Sequence, residues 1–450
     1  MARKQPESRR RSADLGRARR VVDEALAIAV GLTGQHRADA LASVAEALAP
    51  LDLPQALALA EEMSDADSRW SLLHSIAPAI ARQAPDRAIK LARSIRDSKT
   101  RASALRYVAE ELAETEPERA ITLVRAIRDR DARGSARREV AVALVRRHPH
   151  AALRLARGFR DAFDRSTALN DLAREGQCES AALRAICACA VRAALRIESP
   201  HDRAWELSAV AQSLARIDRE RSSEVAIAAL ESARVEPHAR ARDCAVAEAV
   251  KALAKVDAPF AAEIARTVED CWHRGLALAH VSAAVARTDP PFCRAMIDEA
   301  LREASLAEDE DNRESIRDRV VDALIELDPK EAVEFTLGHG IGPSRAAEAL
   351  ARTDLCQALK AVDRAADSEA RTDLRTAIVW AISRTDPDKA LSVAEDIEDE
   401  AQRSPVVYDI VEALAPQDPT RALLIARRVD GDYSRVLALC RVAQALAGAA

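Results

Sequence analysis

Between positions 178 and 293 the sequence gathers side chains that do chemistry. Six of its eight cysteines fall there (Cys178, Cys187, Cys189, Cys244, Cys271, Cys293), with His201, His238, His273, His280, Trp205 and Trp272. Thiols and imidazoles in one stretch raise the question of zinc, which needs ligands that converge on a tetrahedron. Cys187 and Cys189 are two residues apart, and on a helix they point about 200° apart. In "CWHRGLALAH", His273 and His280 share a helix face but stand seven apart, two turns rather than the one that makes neighbours. A free cysteine packs as a small apolar residue. The expectation is therefore no metal site and no cofactor. Trp205, Trp272 and His273 remain as candidate binding residues, rings that a partner would meet.

Other reactive patterns fare no better. "GHGIGPSR" at 338–345 places glycines before a helix start, as a phosphate loop does, but lacks the preceding strand and the following Lys-Ser/Thr. It reads as a corner or helix stop. Neither a G-x-S-x-G elbow nor an H-E-x-x-H pair occurs. No catalytic residue is expected, and the chain is not read as an enzyme.

The elements that position these residues follow a simple rhythm. Arg37, Arg69, Arg101, Arg133 and Arg165 are each 32 residues apart, as are Arg242 and Arg274, Arg313 and Arg345, and Arg371, Arg403 and Arg435. With Arg203 they mark thirteen units. About 16 residues before most of them lies a proline opening a helix: Pro54, Pro85, Pro117, Pro149, Pro259, Pro329, Pro387 and Pro419. Proline at the first helical position loses no hydrogen bond, and an acid just before it suits the positive helix end. In the unit at 85, Ala88, Ile89, Leu91, Ala92 and Ile95 form one apolar stripe. The second helix repeats it with Leu105, Val108, Ala109, Leu112 and Ala113. Neither helix buries its stripe alone, so units must stack.

The prediction is an all-α fold, an α-solenoid superhelix of about thirteen two-helix repeats. At about 10 Å per unit it would be roughly 120 Å long, with a long concave surface and little room for a deep pocket between alanine-lined helices. "RASALRYVAEELAETEPERAITLVRAIRD", with the small residues Ala104, Ala109 and Ala120 and the closing acid, resembles a tetratricopeptide unit. More broadly, residues 21–450 resemble the helical hairpins of the tetratricopeptide and HEAT classes. The Trp, Leu-Gly and Tyr positions of the tetratricopeptide pattern are not met, and the period is 32, not 34. The resemblance implies protein-partner binding and brings no catalytic residue with it.

An aspartate often stands four residues before the repeated arginine, as at Asp65, Asp97, Asp129, Asp161, Asp270, Asp309, Asp367 and Asp399. Two readings compete. The arginines form a stripe that grips phosphates or acidic peptides, or each is structural, pairing with its aspartate or capping carbonyls at the preceding helix end. The matched acids favour the structural reading.

Charge divides the chain. Residues 1–20 hold Arg3, Lys4, Arg9, Arg10, Arg11, Arg17, Arg19 and Arg20 against Glu7 and Asp14. Against a formal net charge of −6, the +6 of this segment leaves −12 on residues 21–450. Residues 1–20 read as a disordered basic arm that gives salt-sensitive nucleic-acid contact at most, since nucleic-acid binding surfaces need excess positive charge. Residues 21–175 and 346–450 read as regular repeats. Between them, 176–345 is irregular: Arg165 to Arg203 is 38 residues, while Arg203 to Arg242 and Arg274 to Arg313 are each 39. The extra residues make about two turns, falling in the first helix of each unit and protruding as a ridge. From Arg345 to Arg371 is only 26 residues, a unit with its second helix clipped.

The functional expectation is a non-catalytic scaffold or adaptor that binds a protein partner on its concave face or central ridge. The alternatives are a nucleic-acid-associated repeat protein using the basic arm, and an enzyme with a site in the irregular repeats. Neither a secretory signal nor a membrane helix is expected, which points to the cytoplasm. The last helix, "RVLALCRVAQALAGAA", lacks a polar outer face, so the C-terminal repeat is expected to pack on a second copy or a partner.

Overall fold

The computed structural model describes residues 4–61, 66–81, 84–175, 179–365 and 367–448. Among the described residues the regular structure is helical throughout, in thirteen successive pairs. Helices α1 to α8 span Lys4–Gly31, Gly34–Leu48, Leu53–Glu61, Ala66–Ala79, Pro85–Ser94, Ser98–Ala113, Pro117–Ala126 and Arg130–Val145. Next come α9 to α14, at Pro149–Ala156, Ala162–Glu175, Ser180–Ala194, Pro200–Leu214, Arg219–Arg234 and Ala239–Leu253. Helices α15 to α20 cover Ala258–Arg266, Cys271–Val285, Pro290–Leu306, Glu310–Leu327, Pro329–His339 and Ser344–Thr353. The last six, α21 to α26, are Leu355–Arg364, Ser368–Ile382, Pro387–Glu395, Glu400–Leu414, Pro419–Ala426 and Asp432–Gly448.

Aspartates write the boundaries. Asp257, Asp289, Asp328, Asp386 and Asp418 each stand just before a Pro-bearing helix start and accept a hydrogen bond from a backbone N–H two or three residues on. Each such cap is worth about 1 kcal/mol. Cores then follow the stripes. Ala88, Ile89, Ala92 and Ile95 of the unit at 85 are buried, as are Leu105, Val108, Ala109, Leu112 and Ala113, while Leu91 is half-buried.

The chain forms two compact units. One holds Met1–Leu112, Thr122–Arg133 and Pro343–Ala450; the other holds Ala113–Ile121 and Gly134–Gly342. In the second unit, α10, α12, α14, α16 and α18 pack successively on one another, so the second helix of each pair lies on that of the next. The first unit repeats this with α20, α22, α24 and α26.

Two expectations change here. The segment read as a disordered arm is helical from Lys4 onward, as part of α1. Ala18, Val21, Val22, Ala25 and Ala29, spaced three and four apart, are buried where α1 packs on α26. Burial of that stripe outweighs the charge of the arginines around it. The apolar face of α26, left by the sequence to a second copy or a partner, is thus covered within the chain by α1 and α2. Arg427 clasps Glu24 at 2.7 Å and Arg17 donates to Thr420 Oγ1 at 2.9 Å across the same contact.

"GHGIGPSR" is a helix stop. Gly340 follows the end of α19 at φ 66°, a left-handed conformation that suits glycine. Helix α20 is short at 10 residues, against 14 to 18 in the other second helices.

Candidate functional site

The repeated arginine has one dominant job. Arg101, Arg133, Arg165, Arg203, Arg274, Arg403 and Arg435 each donate to the carbonyl six residues earlier, at 2.7–3.1 Å. Those carbonyls belong to Ile95, Ile127, Phe159, Ile197, Val268, Ile397 and Val429, all buried. Each guanidinium therefore closes the end of the first helix over a buried apolar residue, satisfying acceptors that helix geometry leaves unpaired. The aspartate four residues before points elsewhere. Asp97, Asp129, Asp161, Asp270, Asp309, Asp367 and Asp399 cap the second helix, accepting from its backbone N–H groups at 2.6–3.1 Å. Acid and arginine thus cap two different helices at one corner. The pair Asp65–Arg69 and Cys178 lie outside the described residues or side chains.

Irregularity concentrates in the second unit. Helices α11, α13 and α17 have 15, 16 and 17 residues, where α5, α9, α15 and α19 have 10, 8, 9 and 11. Each lengthened helix ends on a large apolar side chain held in solvent: Leu195 is 55% exposed, Val235 63% and Leu306 64%. In the unit of α5 the matching position is Arg93 or Ser94, and in that of α23 it is Glu395 or Asp396. An arginine accompanies each apolar end, Arg196, Arg234 and Arg302 respectively.

The three residues singled out by type are not brought together as one site. Trp205, on α12, is 43% exposed and stacks on His201 with ring centroids 6.2 Å apart. Trp272 and His273 open α16, with rings 4.4 Å apart. Arg240 lies 5.9 Å from the Trp272 ring centroid. His273 is buried, its Nδ1 2.7 Å from the Asp270 carboxylate, which also accepts from the His273 backbone N–H at 2.9 Å. Asp243 in turn accepts from the Asp270 N–H at 2.9 Å. These bonds hold the Asp270 carboxyl below its usual range against the opposing effect of burial. His273 is therefore part of a helix cap, and Trp205 is the member of the three most open to a partner. Cys187, Cys189 and Cys293 are buried, and among the described residues no three His, Cys, Asp or Glu side chains cluster as a metal site.

Residue type and spacing missed a cavity of about 360 Å³ where α9, α10 and α11 meet. Arg157, Arg165, Arg192 and Arg196 line it with Leu169, Cys189 and Ala193. The Cys189 Sγ accepts from Arg157 at 2.7 Å and from Arg192 at 3.2 Å. Two cavities at other corners also contain repeated arginines, but mix the charges. At one, Arg234 and Arg242 face Asp243 and Glu269; at the other, Arg371 and Arg375 face Glu369, Glu398 and Asp399. The legible signal was Arg192 on α11 and Arg196 just past its end, four residues apart with no acid one turn before either. Alanine-lined packing was expected to leave little room; the room lies at the corners instead.

Of the basic segment, Arg17 and Arg19 are engaged within the chain, Arg19 holding Asp52 at 2.9 Å and Asp23 at 3.0 Å. The side chains of Arg3, Lys4, Arg9, Arg10 and Arg11 lie outside the described residues. Among the described residues no helix is long and apolar enough to cross a membrane.

These features define a class, an all-α protein of tandem helix pairs. No protein-family model matches the chain, and no curated protein does. Among solved structures, Ton1535 from Thermococcus onnurineus NA1 is similar at 16% identity, over 79% of this chain and 94% of that one, with a TM-score of 0.20. A circular tandem repeat protein with novel repeat topology and enhanced subunit contact surfaces is 12% identical over 96% of each chain, with a TM-score of 0.22. At such scores neither likeness carries an argument, and the class rests on the helices themselves.

Proposed function

We propose that this chain is a non-catalytic binding scaffold, used in the manner of tetratricopeptide and HEAT repeats, and that the ridge of lengthened helices holds its protein partner. The observation that carries this is the exposure of Leu195 and Val235, one residue past α11 and α13, and of Leu306, the last residue of α17. On α5 and α23 the matching positions are polar, so these apolar ends are particular to the lengthened helices, and apolar surface left in solvent is what an interface covers. Buried at an interface, each is worth about 1.5–3 kcal/mol. The arginine beside each sets the chemistry of the occupant, a protein segment that presents aliphatic side chains flanked by carboxylates.

The test is affinity capture and titration of the partner with wild-type protein and with the triple variant L195S/V235S/L306S. Because these side chains are exposed, the variant is expected to keep its circular dichroism and melting temperature. Partner affinity is expected to fall at least about a hundredfold. Retention of wild-type affinity would exclude the ridge.

A further inference from the structure

The cavity at α9, α10 and α11 raises a separate question, because the same corner occurs with another lining at α15, α16 and α17. There, Arg266 stands eight residues before the repeated Arg274, as Arg157 does before Arg165. Arg266 forms a two-pronged pair with Glu299, both contacts at 2.9 Å, and Arg274 meets Glu303 at 2.6 Å. Both acids lie on the lengthened α17, Glu303 three residues before the exposed Leu306. Counted back from the repeated Arg203 and Arg313, α11 has Cys189 at the place of Glu299 and Ala193 at the place of Glu303, while Arg192 answers to Arg302. One residue beyond the exposed Leu195 it adds Arg196, at the place of Leu306. Both acids of the balanced corner are thus missing, and four guanidinium groups stand around a cavity whose lining holds no carboxylate.

Four like charges at one corner repel, and nothing in the corner's helix-capping task needs more than Arg165. Arginine's planar fork matches the oxygens of phosphate. The volume of about 360 Å³ lies within the range of roughly 300–1,000 Å³ usual for small-molecule sites. We propose that this cavity binds a small phosphorylated anion of the diphosphate class, its oxygens taken by Arg157, Arg192 and Arg196, with Arg165 holding the floor from its capping position. The ligand is either inorganic diphosphate or the diphosphate of a nucleotide, since the same fork recognises both.

Calorimetric titration of the full chain with inorganic pyrophosphate and, separately, with ADP tests this at low and moderate salt. Saturable one-to-one binding by either probe is expected. Tighter pyrophosphate assigns the free anion, and tighter ADP assigns a nucleotide. Arg192→Glu, which sets an acid among the arginines, is expected to weaken binding roughly tenfold to a hundredfold, and Arg196→Ala somewhat less. Glu303→Gln at the balanced corner should leave affinity unchanged. The proposal is overturned if neither probe binds, or if both arginine variants bind as wild type does. Should Arg192→Glu fail to fold, the Arg196→Ala result decides.

Discussion

The corners at Arg165 and Arg274 are built from one plan. In both, the repeated arginine closes the preceding helix, through Phe159 and Val268 respectively, and an aspartate caps the next. The plan fixes those two bonds and leaves the far side of the guanidinium free. At Arg274 that side is neutralised by Glu303; at Arg165 it opens on more arginine. A repeat therefore has two parts, a backbone-capping part that must stay constant and an outward part that each copy sets independently. The lengthened first helices are where the outward part diverges.

The heaviest blow to this comparison should come from Gly275, immediately after Arg274. A Cβ there would sit 2.6 Å from Ile316 Cδ1 and 3.2 Å from Glu303 Cβ, so α17 and α18 approach α16 through its absence. Gly275→Val is expected to cost about 1–3 kcal/mol, and to part Glu303 from Arg274. Urea unfolding measures the first; a weaker dependence of stability on salt than in the wild type would report the second. At the Arg165 corner the equivalent residue is Ser166, buried with its Cβ already accommodated, and Ser166→Ala should have the smaller effect.

A smaller effect separates the two regions by pH. Near Arg165, the buried Glu206 accepts from Thr167 at 2.8 Å and Asn170 at 2.6 Å, yet burial still raises its pKa above 4.5. The folded state then keeps a proton that the unfolded chain loses, so this contribution declines as pH climbs from 4.5 through the raised value. Near Arg274, burial and the charges of Lys251, Arg319 and Lys255 lower His280 from 6.5 to about 3. Here the unfolded chain takes the proton first, so stability is lost as pH falls from 6.5 towards 3. Glu206→Gln should flatten the first slope only, and His280→Gln the second only, when unfolding is followed across pH. Equal effects of both variants on one slope would dissolve the distinction.

The smallest expected change is a charge exchange. Arg192→Glu should raise stability, and Glu303→Arg lower it, each by about 1 kcal/mol or less, because both sites are partly solvated. Denaturation at low and high salt checks this, since both differences should shrink as salt rises.

Much of this architecture is legible in the sequence. The period of 32 and the Asp-Pro starts fall on thirteen helix pairs, because caps and prolines act locally. The job of the arginine was half legible. A guanidinium near a helix end reaches a carbonyl or a carboxylate equally well, and only the folded chain shows that the aspartate is turned towards its own helix. The fate of residues 1–20 was hidden for another reason. Their composition is that of a solvated tail, and the surface that orders their C-terminal part lies about four hundred residues away, with Glu24 and Arg427 separated by 403 positions. The arginine cavity was invisible residue by residue. It emerges when α11 is laid on α17 from the repeated arginines, which sets Cys189 and Ala193 where Glu299 and Glu303 stand.

The packing of α1 on α26 has an evolutionary consequence. In a repeat array with two free ends, recombination adds or drops whole units at the cost of one interface. Here the first and last helix pairs pack on each other, so loss of either terminal pair strips the cover from apolar residues of the other. Recombination that drops a terminal unit is therefore penalised on both sides of this contact. Novelty must then enter by lengthening helices within units, which is where α11, α13 and α17 show it.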